Sequence, residues 1–186
     1  MNSNDEKWIK KAQQGSRHAF DKIIQNNIQS IFRLLYDMTG SYEDAQDLTQ
    51  EAFLRAFLKI KQYSGKARFS TWLYRIAYNI AIDFQRQKKR YSNGDWTLQY
   101  DSTLLKNNLL QKEEAYSGEN EEIETALTKL TGPQRMAIIL HYYHGFKAKE
   151  IGEILNCSEG TIRVHLFRAI QHLRKELRSL SPKEES

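Results

Sequence analysis

Apolar residues near the start of this chain return every three or four positions: Phe20, Ile23, Ile24, Ile28, Ile31, Leu34 and Leu35. That spacing lays them along one stripe of an α-helix and does not suit the alternating period of a strand. Alternating β-branched residues are nearly absent elsewhere, and the only prolines are Pro133 and Pro182, so long helices can run uninterrupted. The chain is expected to be all-α. Ser41 stands before a second periodic run, YEDAQDLTQEAFLRAFLKI, as an N-cap with acidic residues in the first turn. The SGK of Ser64 to Lys66 breaks that run, and the opening stretch supplies a third helix.

Composition changes at Ser92. From Asn93 to Glu121 six acidic residues stand against Lys106 and Lys112, and Gly94, Gly118 and four asparagines dilute any periodicity. This reads as a flexible acidic linker, with a helical turn around Leu104 to Leu110. Helical patterning resumes at Ile123 and continues to about Leu180. The expected architecture is therefore two small helical domains, 1–92 and 122–181, joined by the linker 93–121.

Several function classes are disfavoured by what the sequence lacks. No stretch approaches the roughly 18 apolar residues of a membrane span, so no membrane insertion is expected. The N-terminal MNSNDEKWIKK has no apolar run of the kind a signal peptide needs. Cys157 is the one cysteine, which excludes an intrachain disulfide and suits a reducing cytoplasm. His141 and His144 with Cys157 suggest zinc, but a fourth ligand is not evident. No phosphate-binding glycine loop and no convergent catalytic set occur, so neither an enzyme nor a cofactor is expected. The net charge of +5 leans toward polyanionic partners.

The segment FSTWLYRIAYNIAIDFQRQKKR, Phe69 to Arg90, mixes aromatics with a terminal burst of cations. On a helical wheel Leu73, Ile76, Ala77, Ile80 and Phe84 form the inward stripe. Roughly opposite lie Trp72, Arg75, Asn79, Asp83 and Arg86. A face holding an aromatic, an amide, a carboxylate and guanidiniums suits unpaired nucleic acid. Aromatic rings replace base stacking, at about 1–3 kcal/mol per base, while cations hold the backbone. An amide or carboxylate can read the edge of an unstacked base. By periodicity alone, Trp72 is equally explained as a boundary core residue.

The stretch KAKEIGEILNCSEGTIRVHLFRAIQHLRKEL carries a helix-turn-helix pattern. Its first helix spans Lys147 to Leu155, Asn156 and Cys157 supply a short turn, and Ser158 caps the next helix. There Ile162, Leu166, Ala169, Ile170, Leu173 and Leu177 gather on one side. Val164, Arg168, Gln171 and Lys175 fall on the other, with Thr161 and His165 beside them. An apolar stripe for anchorage and a polar, basic one outward is what a recognition helix in the major groove requires.

Three segments together resemble the extracytoplasmic-function (ECF) subfamily of bacterial sigma-70-like RNA polymerase sigma factors. DAQDLTQEAFLRAF resembles the segment that binds core polymerase, FSTWLYRIAYNIAIDFQRQKKR the one that melts and reads the minus-ten element, and LTKLTGPQRMAIILHYYHGFKAKEIGEILNCSEGTIRVHLFRAI the minus-thirty-five reader. The resemblance implies that Asp47, Gln50, Glu51 and Leu54 contact the clamp helices of the polymerase beta-prime subunit. Periodicity is consistent with this, since Ala45, Leu48, Ala52 and Ala56 take the opposite, inward side. It places Asn79 at a pocket for a flipped minus-ten base, with the loop Gly65, Lys66, Arg68 and Phe69 as the other wall. Trp72, Arg75, Asp83 and Arg86 complete the minus-ten face, and Lys88, Lys89 and Arg90 meet upstream phosphates. Ser158, Glu159, Gly160, Thr161, Arg163, Val164, His165 and Arg168 would meet the minus-thirty-five element. Thr161 stands where a phosphate contact is possible, and Arg168 where a bidentate guanine contact is. Val164 and His165 depart from the family, where a small polar residue and a cation are frequent. Partners implied are core polymerase, including the beta flap, promoter DNA and an anti-sigma factor.

A linker of 29 residues reaches at most about 100 Å when extended. Two promoter elements two helical turns apart need about 70 Å. The competing reading is a helix-turn-helix regulator that binds an operator without polymerase. It accounts for the C-terminal half but leaves Asp47 to Glu51 and the Trp72 to Asn79 face without work.

Overall fold

The computed structural model describes residues 3–91, 125–127 and 129–180. Every regular element among them is helical. Two compact units share the chain, Met1–Gly94 with Glu153–Leu155 and Asp95–Gly152 with Asn156–Ser186. The acidic stretch 93–121, expected to be a linker, and the domain limits expected at 92, 122 and 181 lie outside the described residues.

The first unit contains α1 (Ser3–Gln13), α2 (Arg17–Thr39), α3 (Tyr42–Lys59) and α4 (Phe69–Tyr91). Serines start the middle two. Ser16 Oγ accepts from the Ala19 N–H at 3.3 Å, and Ser41 Oγ accepts from the Asp44 N–H at 3.2 Å. Helices α2, α3 and α4 pack on one another, with α1 along α2. Ile31, Leu34 and Leu35 of α2 and Leu73 of α4 are fully buried, each stabilising the fold by about 1.5–3 kcal/mol over an exposed position. Where α3 meets its neighbours the buried side chains include Ala45, Ala52 and Ala56, and α4 contributes Ala77 and Ala81. A methyl group per position lets helix axes come close. Two longer ties fix the end of α4: Gln85 Nε2 donates to the Met38 carbonyl at 2.7 Å, and Lys88 Nζ meets Asp44 Oδ2 at 3.1 Å.

A carboxylate lies inside this unit. Asp37 is buried, with Arg33 Nε 3.0 Å from its Oδ1. Burial pushes its pKa up to about 6, against the opposing pull of Arg33. The neighbouring Tyr74 phenol is pushed up to about 12, chiefly by burial.

The described helices after the first unit are α5 (Gly132–Ile138), a wider π-helical turn (Ile139–Tyr143), α6 (Ala148–Leu155), of which the part up to Gly152 belongs to the second unit, and α7 (Glu159–Leu180). Residues 125–127 are also helical. Leu127, Leu130, Ile138 and Ala169 form a buried cluster, with Leu166, Ile170 and Leu173 packed against it. One cation is buried beside them. Arg135 donates from Nε to the Leu127 carbonyl at 2.8 Å and from Nη2 to the Leu130 carbonyl at 3.0 Å. It thereby gives the Leu127 carbonyl, which also accepts from the Leu130 N–H at 3.2 Å, a second donor, and supplies the Leu130 carbonyl with one as well.

Candidate polymerase and promoter interfaces

The outer side of α3 carries a mixed acidic and apolar surface. Asp47, Gln50 and Leu54 are exposed and Glu51 is half-buried, while Ala45, Leu48, Ala52 and Ala56 face inward, as the periodicity predicts. Glu51 is paired with Arg55 one turn on. The sequence did not reveal how much apolar area joins this patch. Leu54 is 59% exposed and Leu58 69%, and Phe57 and Ile28 are exposed as well. Ile28 was expected inside the α2 stripe. Instead it lines an open groove of about 420 Å³ between α2 and α3, with Phe20, Ile24, Phe53, Leu54 and Phe57. A groove of this kind, rimmed by Asp21 and Gln50, can accept an amphipathic helix.

The outer face of α4 is as expected for most of its residues. Arg75, Asn79, Asp83 and Arg86 are exposed, while Leu73, Ala77 and Ile80 are buried and Ile76 and Phe84 half-buried. Asp83 and Arg86 lie 3.7 Å apart on the same face, a solvated pair one turn apart. Trp72 is half-buried. Its ring leans on Tyr63 and Phe69, with centroids 5.4 and 5.3 Å away, leaving part of it at the surface.

Phe69 requires correction. It was expected to help wall a base pocket, yet its side chain is only 4% exposed. It packs edge-on against Tyr63 at 5.4 Å, so it supports Trp72 from beneath and cannot itself touch DNA in this conformation. The rest of the loop stays outward: Gly65, Lys66 and Arg68 are exposed, and Gly65 takes φ of +75°, which a residue with a side chain seldom adopts. Two contacts hold the loop. The Tyr63 hydroxyl donates to the Ala67 carbonyl at 2.7 Å, closing the turn. Gln13 Nε2 donates to the Ile60 and Tyr63 carbonyls at 3.1 and 2.8 Å, tying the loop to α1. Burial, with the charge of Glu6, raises the Tyr63 pKa.

In the second unit α6 and α7 meet through a tight turn. Asn156 adopts φ of 57°, the left-handed conformation that ends a helix, and the Cys157 N–H returns to the Gly152 carbonyl at 2.9 Å. A Cβ on Gly152 would stand 2.7 Å from the Cys157 carbonyl oxygen, so only glycine lets the turn close. Ser158 caps α7 as expected, accepting from the Thr161 N–H at 3.1 Å. Its Oγ also lies 2.8 Å from the Thr161 hydroxyl. Gly160, Thr161, Arg163, Val164 and Arg168 are exposed, and Glu159 and His165 half-buried. Arg163 is bonded to Glu159 at 2.6 Å. Among the described residues no three His, Cys, Asp or Glu side chains gather as a metal site, so His141, His144 and Cys157 do not form one. Burial raises the Cys157 thiol pKa. No helix among those residues is long and apolar enough to cross a membrane.

A capped helix presenting cations after a glycine-closed turn, with a helical unit bearing an aromatic and amide face, defines a DNA-binding protein built from two helical modules. Comparison with known proteins makes this specific. The sigma-70 region 2 family matches residues 23–91, and sigma-70, region 4 matches residues 120–173. The ECF RNA polymerase sigma factor SigW of Bacillus subtilis (strain 168) is 36% identical, over 94% of this chain and 97% of that protein. The ECF RNA polymerase sigma-E factor of Haemophilus influenzae is 31% identical over 95% and 96%. Among solved structures, CnrH in complex with the cytosolic domain of CnrY superposes with a TM-score of 0.71 at 18% identity, over 96% of this chain and all of that one. The sigma factor RpoE of Bartonella quintana, solved with the anti-sigma factor NepR, gives 0.65 at 21%, over 86% and 96%; at such identities these two speak to the fold. The chain belongs to the ECF subfamily of sigma-70-like RNA polymerase sigma factors. The reading as an operator-binding regulator that never joins polymerase is not favoured, because the region 2 match takes in α3 and α4, which that reading leaves idle.

Proposed function

We propose a division of labour among the residues of this sigma factor. Asp47, Gln50, Glu51 and Leu54 bind the clamp helices of the polymerase beta-prime subunit, and the groove beside Ile28 and Phe57 extends that contact. Arg75, Asn79, Asp83 and Arg86, with the exposed edge of Trp72 and the loop cations Lys66 and Arg68, take the melted minus-ten strand. Asn79 hydrogen-bonds a flipped base, while Phe69 works from below as a prop for Trp72. Helix α7 enters the major groove at the minus-thirty-five element, with Arg168 on a base edge and Ser158, Glu159, Gly160 and Thr161 near the backbone. The second unit also meets the beta flap. The protein acts beside polymerase in the cytoplasm, and an anti-sigma factor, like the partner of the Bartonella protein, holds it inactive.

One observation carries the reading. Within the first unit, α3 and α4 each bury one stripe and leave the polar set of the expected binding residues outward. Run-off transcription with core polymerase tests it. Core plus this protein should initiate at a defined start where core alone does not, and Asp47→Ala with Leu54→Ala should lower core binding at least tenfold. A protein that shifts promoter DNA tightly alone, and adds nothing to core, would be a regulator.

A further inference from the structure

Lys10, Lys61 and Lys66 come from three separate pieces of the first unit: α1, the 3₁₀ turn Ile60–Gln62 and the loop before α4. All three are exposed. The Gln13 amide brings the pieces together. Its Nε2 donates to the Ile60 carbonyl, part of the same peptide group as the Lys61 N–H, and to the Tyr63 carbonyl just ahead of the loop. The Lys61 backbone therefore starts one hydrogen bond away from the Gln13 side chain. Ile9 and Ala12, both buried, fix the inward side of α1. At 100° per residue Lys10 stands one turn before Gln13 and about 60° further outward on the same flank. Glu6 shares that flank, and its charge reaches the Tyr63 phenol.

None of these three ammonium groups is ion-paired among the described residues. At the far end of α4 the cations are held: Arg86 is 3.7 Å from Asp83 and Lys88 3.1 Å from Asp44. Lysines along a single helix are ordinarily a solvated face. Three that the fold collects from separate elements form a surface of their own. Adjacent like charges repel, a cost that an incoming polyanion relieves while it sheds its own counterions. The position of the surface selects the polyanion. From the loop to Arg86, α4 spans about 26 Å. The unpaired strand assigned to its outer face passes Asn79 and comes to Lys66 at the end away from the upstream duplex. Beyond Lys66 the cationic surface continues through Lys61 to Lys10, and single strands are held by cations that track the backbone.

We propose that Lys61 and Lys10 bind phosphates of the melted strand where it leaves the minus-ten element toward the transcription start, which makes the Gln13-anchored edge of α1 a second DNA site, indifferent to sequence. The inference rests on the proposed role of α4 and adds a site beyond it. It also gives work to two cations that the sequence pattern did not single out.

The test uses holoenzyme reconstituted from core polymerase and the full chain, with a promoter selected from randomised DNA. Two fork DNAs are made from it, one whose single strand stops at the minus-ten element and one whose strand runs a few nucleotides further. Lys10→Gln combined with Lys61→Gln should bind core and the short fork as wild type does, which also shows that the variant folds, and should lose affinity for the long fork. Each single-strand phosphate contact adds about 0.7 to the salt slope. Between about 50 and 200 mM salt the wild-type preference for the long fork should therefore fall about sevenfold more than the variant's. Uncharged methylphosphonates in the extension should abolish the difference between the two proteins. An equal preference for the long fork in wild type and variant overturns the proposal, as does a difference that survives the methylphosphonates. An equal loss on both forks overturns it by placing the lysines at the minus-ten element itself, and a loss of core binding by placing them against polymerase. Wild-type holoenzyme that binds neither fork, or yields no promoter at selection, is instead a failure of the reading of α4.

Discussion

Gln13 Nε2 lies 2.8 Å from the Tyr63 carbonyl oxygen and 3.1 Å from that of Ile60. One amide at the end of α1 thus anchors the segment from which the loop Gly65 to Arg68 departs, some fifty residues away in sequence. Gln13→Ala removes both bonds, each worth about 0.5–1.5 kcal/mol. We expect promoter melting to slow severalfold while core binding through α3 stays unchanged. Stopped-flow fluorescence of a reporter in the minus-ten strand measures the first, and titration with labelled core the second.

Asp37 gives the first unit a pH dependence of defined sign. Its pKa in the fold, about 6, lies above the 3.8 of an ordinary aspartate. The folded state therefore holds the proton more tightly, and this contribution to stability is fully present below about pH 4 and is lost as pH rises through 6. The loss is on the order of 3 kcal/mol at pH 7. Asp37→Asn has no carboxylate to ionise, so its stability relative to wild type should rise between pH 4 and pH 7. Urea unfolding at the two pH values checks this; a difference that stays constant contradicts it.

Arg135 stabilises the second unit through the Leu127 and Leu130 carbonyls. Arg135→Met keeps much of the apolar stem but leaves both buried oxygens without these donors. A destabilisation of about 3 kcal/mol is expected. Hydrogen exchange on the full chain should show faster opening in 132–177, with α2 to α4 unaffected.

Gly152→Ala places a methyl 2.7 Å from the Cys157 carbonyl oxygen, so α6 and the turn must separate. Overpacking of this kind costs about 1–3 kcal/mol. Minus-thirty-five binding by holoenzyme should weaken roughly tenfold or more, and core affinity should hold. An unchanged minus-thirty-five footprint would show that the turn can relax without moving α7.

Much of the fold was legible because local rules decide it. Ser41 and Ser158 cap where a small hydroxyl precedes a periodic run, and the inward alanines of α3 follow from 3.6-residue spacing alone. The outward set on α4 was legible for the same reason. What escaped depends on distant partners or breaks the usual preference for each residue type. Gln13 reads as a surface amide until the chain brings Tyr63 to it. Arg135 reads as a solvated cation, since arginine is seldom buried without a ring of acceptors. Phe69 opens α4 beside a cationic loop, and nothing nearby in sequence discloses Tyr63 beneath it. Ile28 fails in the opposite direction, because periodicity sends it inward and it is exposed, whereas Leu58 and Phe167 fall on the outward sides of α3 and α7 by the same spacing and were passed over because they are apolar.

The central claim is that the outward face of α4, and Asn79 above all, grips unpaired DNA. Permanganate reactivity of minus-ten thymines, set beside footprinting of the minus-thirty-five duplex in the same holoenzyme, measures the two activities separately. Asn79→Ala should cut strand opening at least tenfold and leave the minus-thirty-five footprint within about twofold of wild type. Equal losses in both signals, or full opening without Asn79, would contradict the assignment.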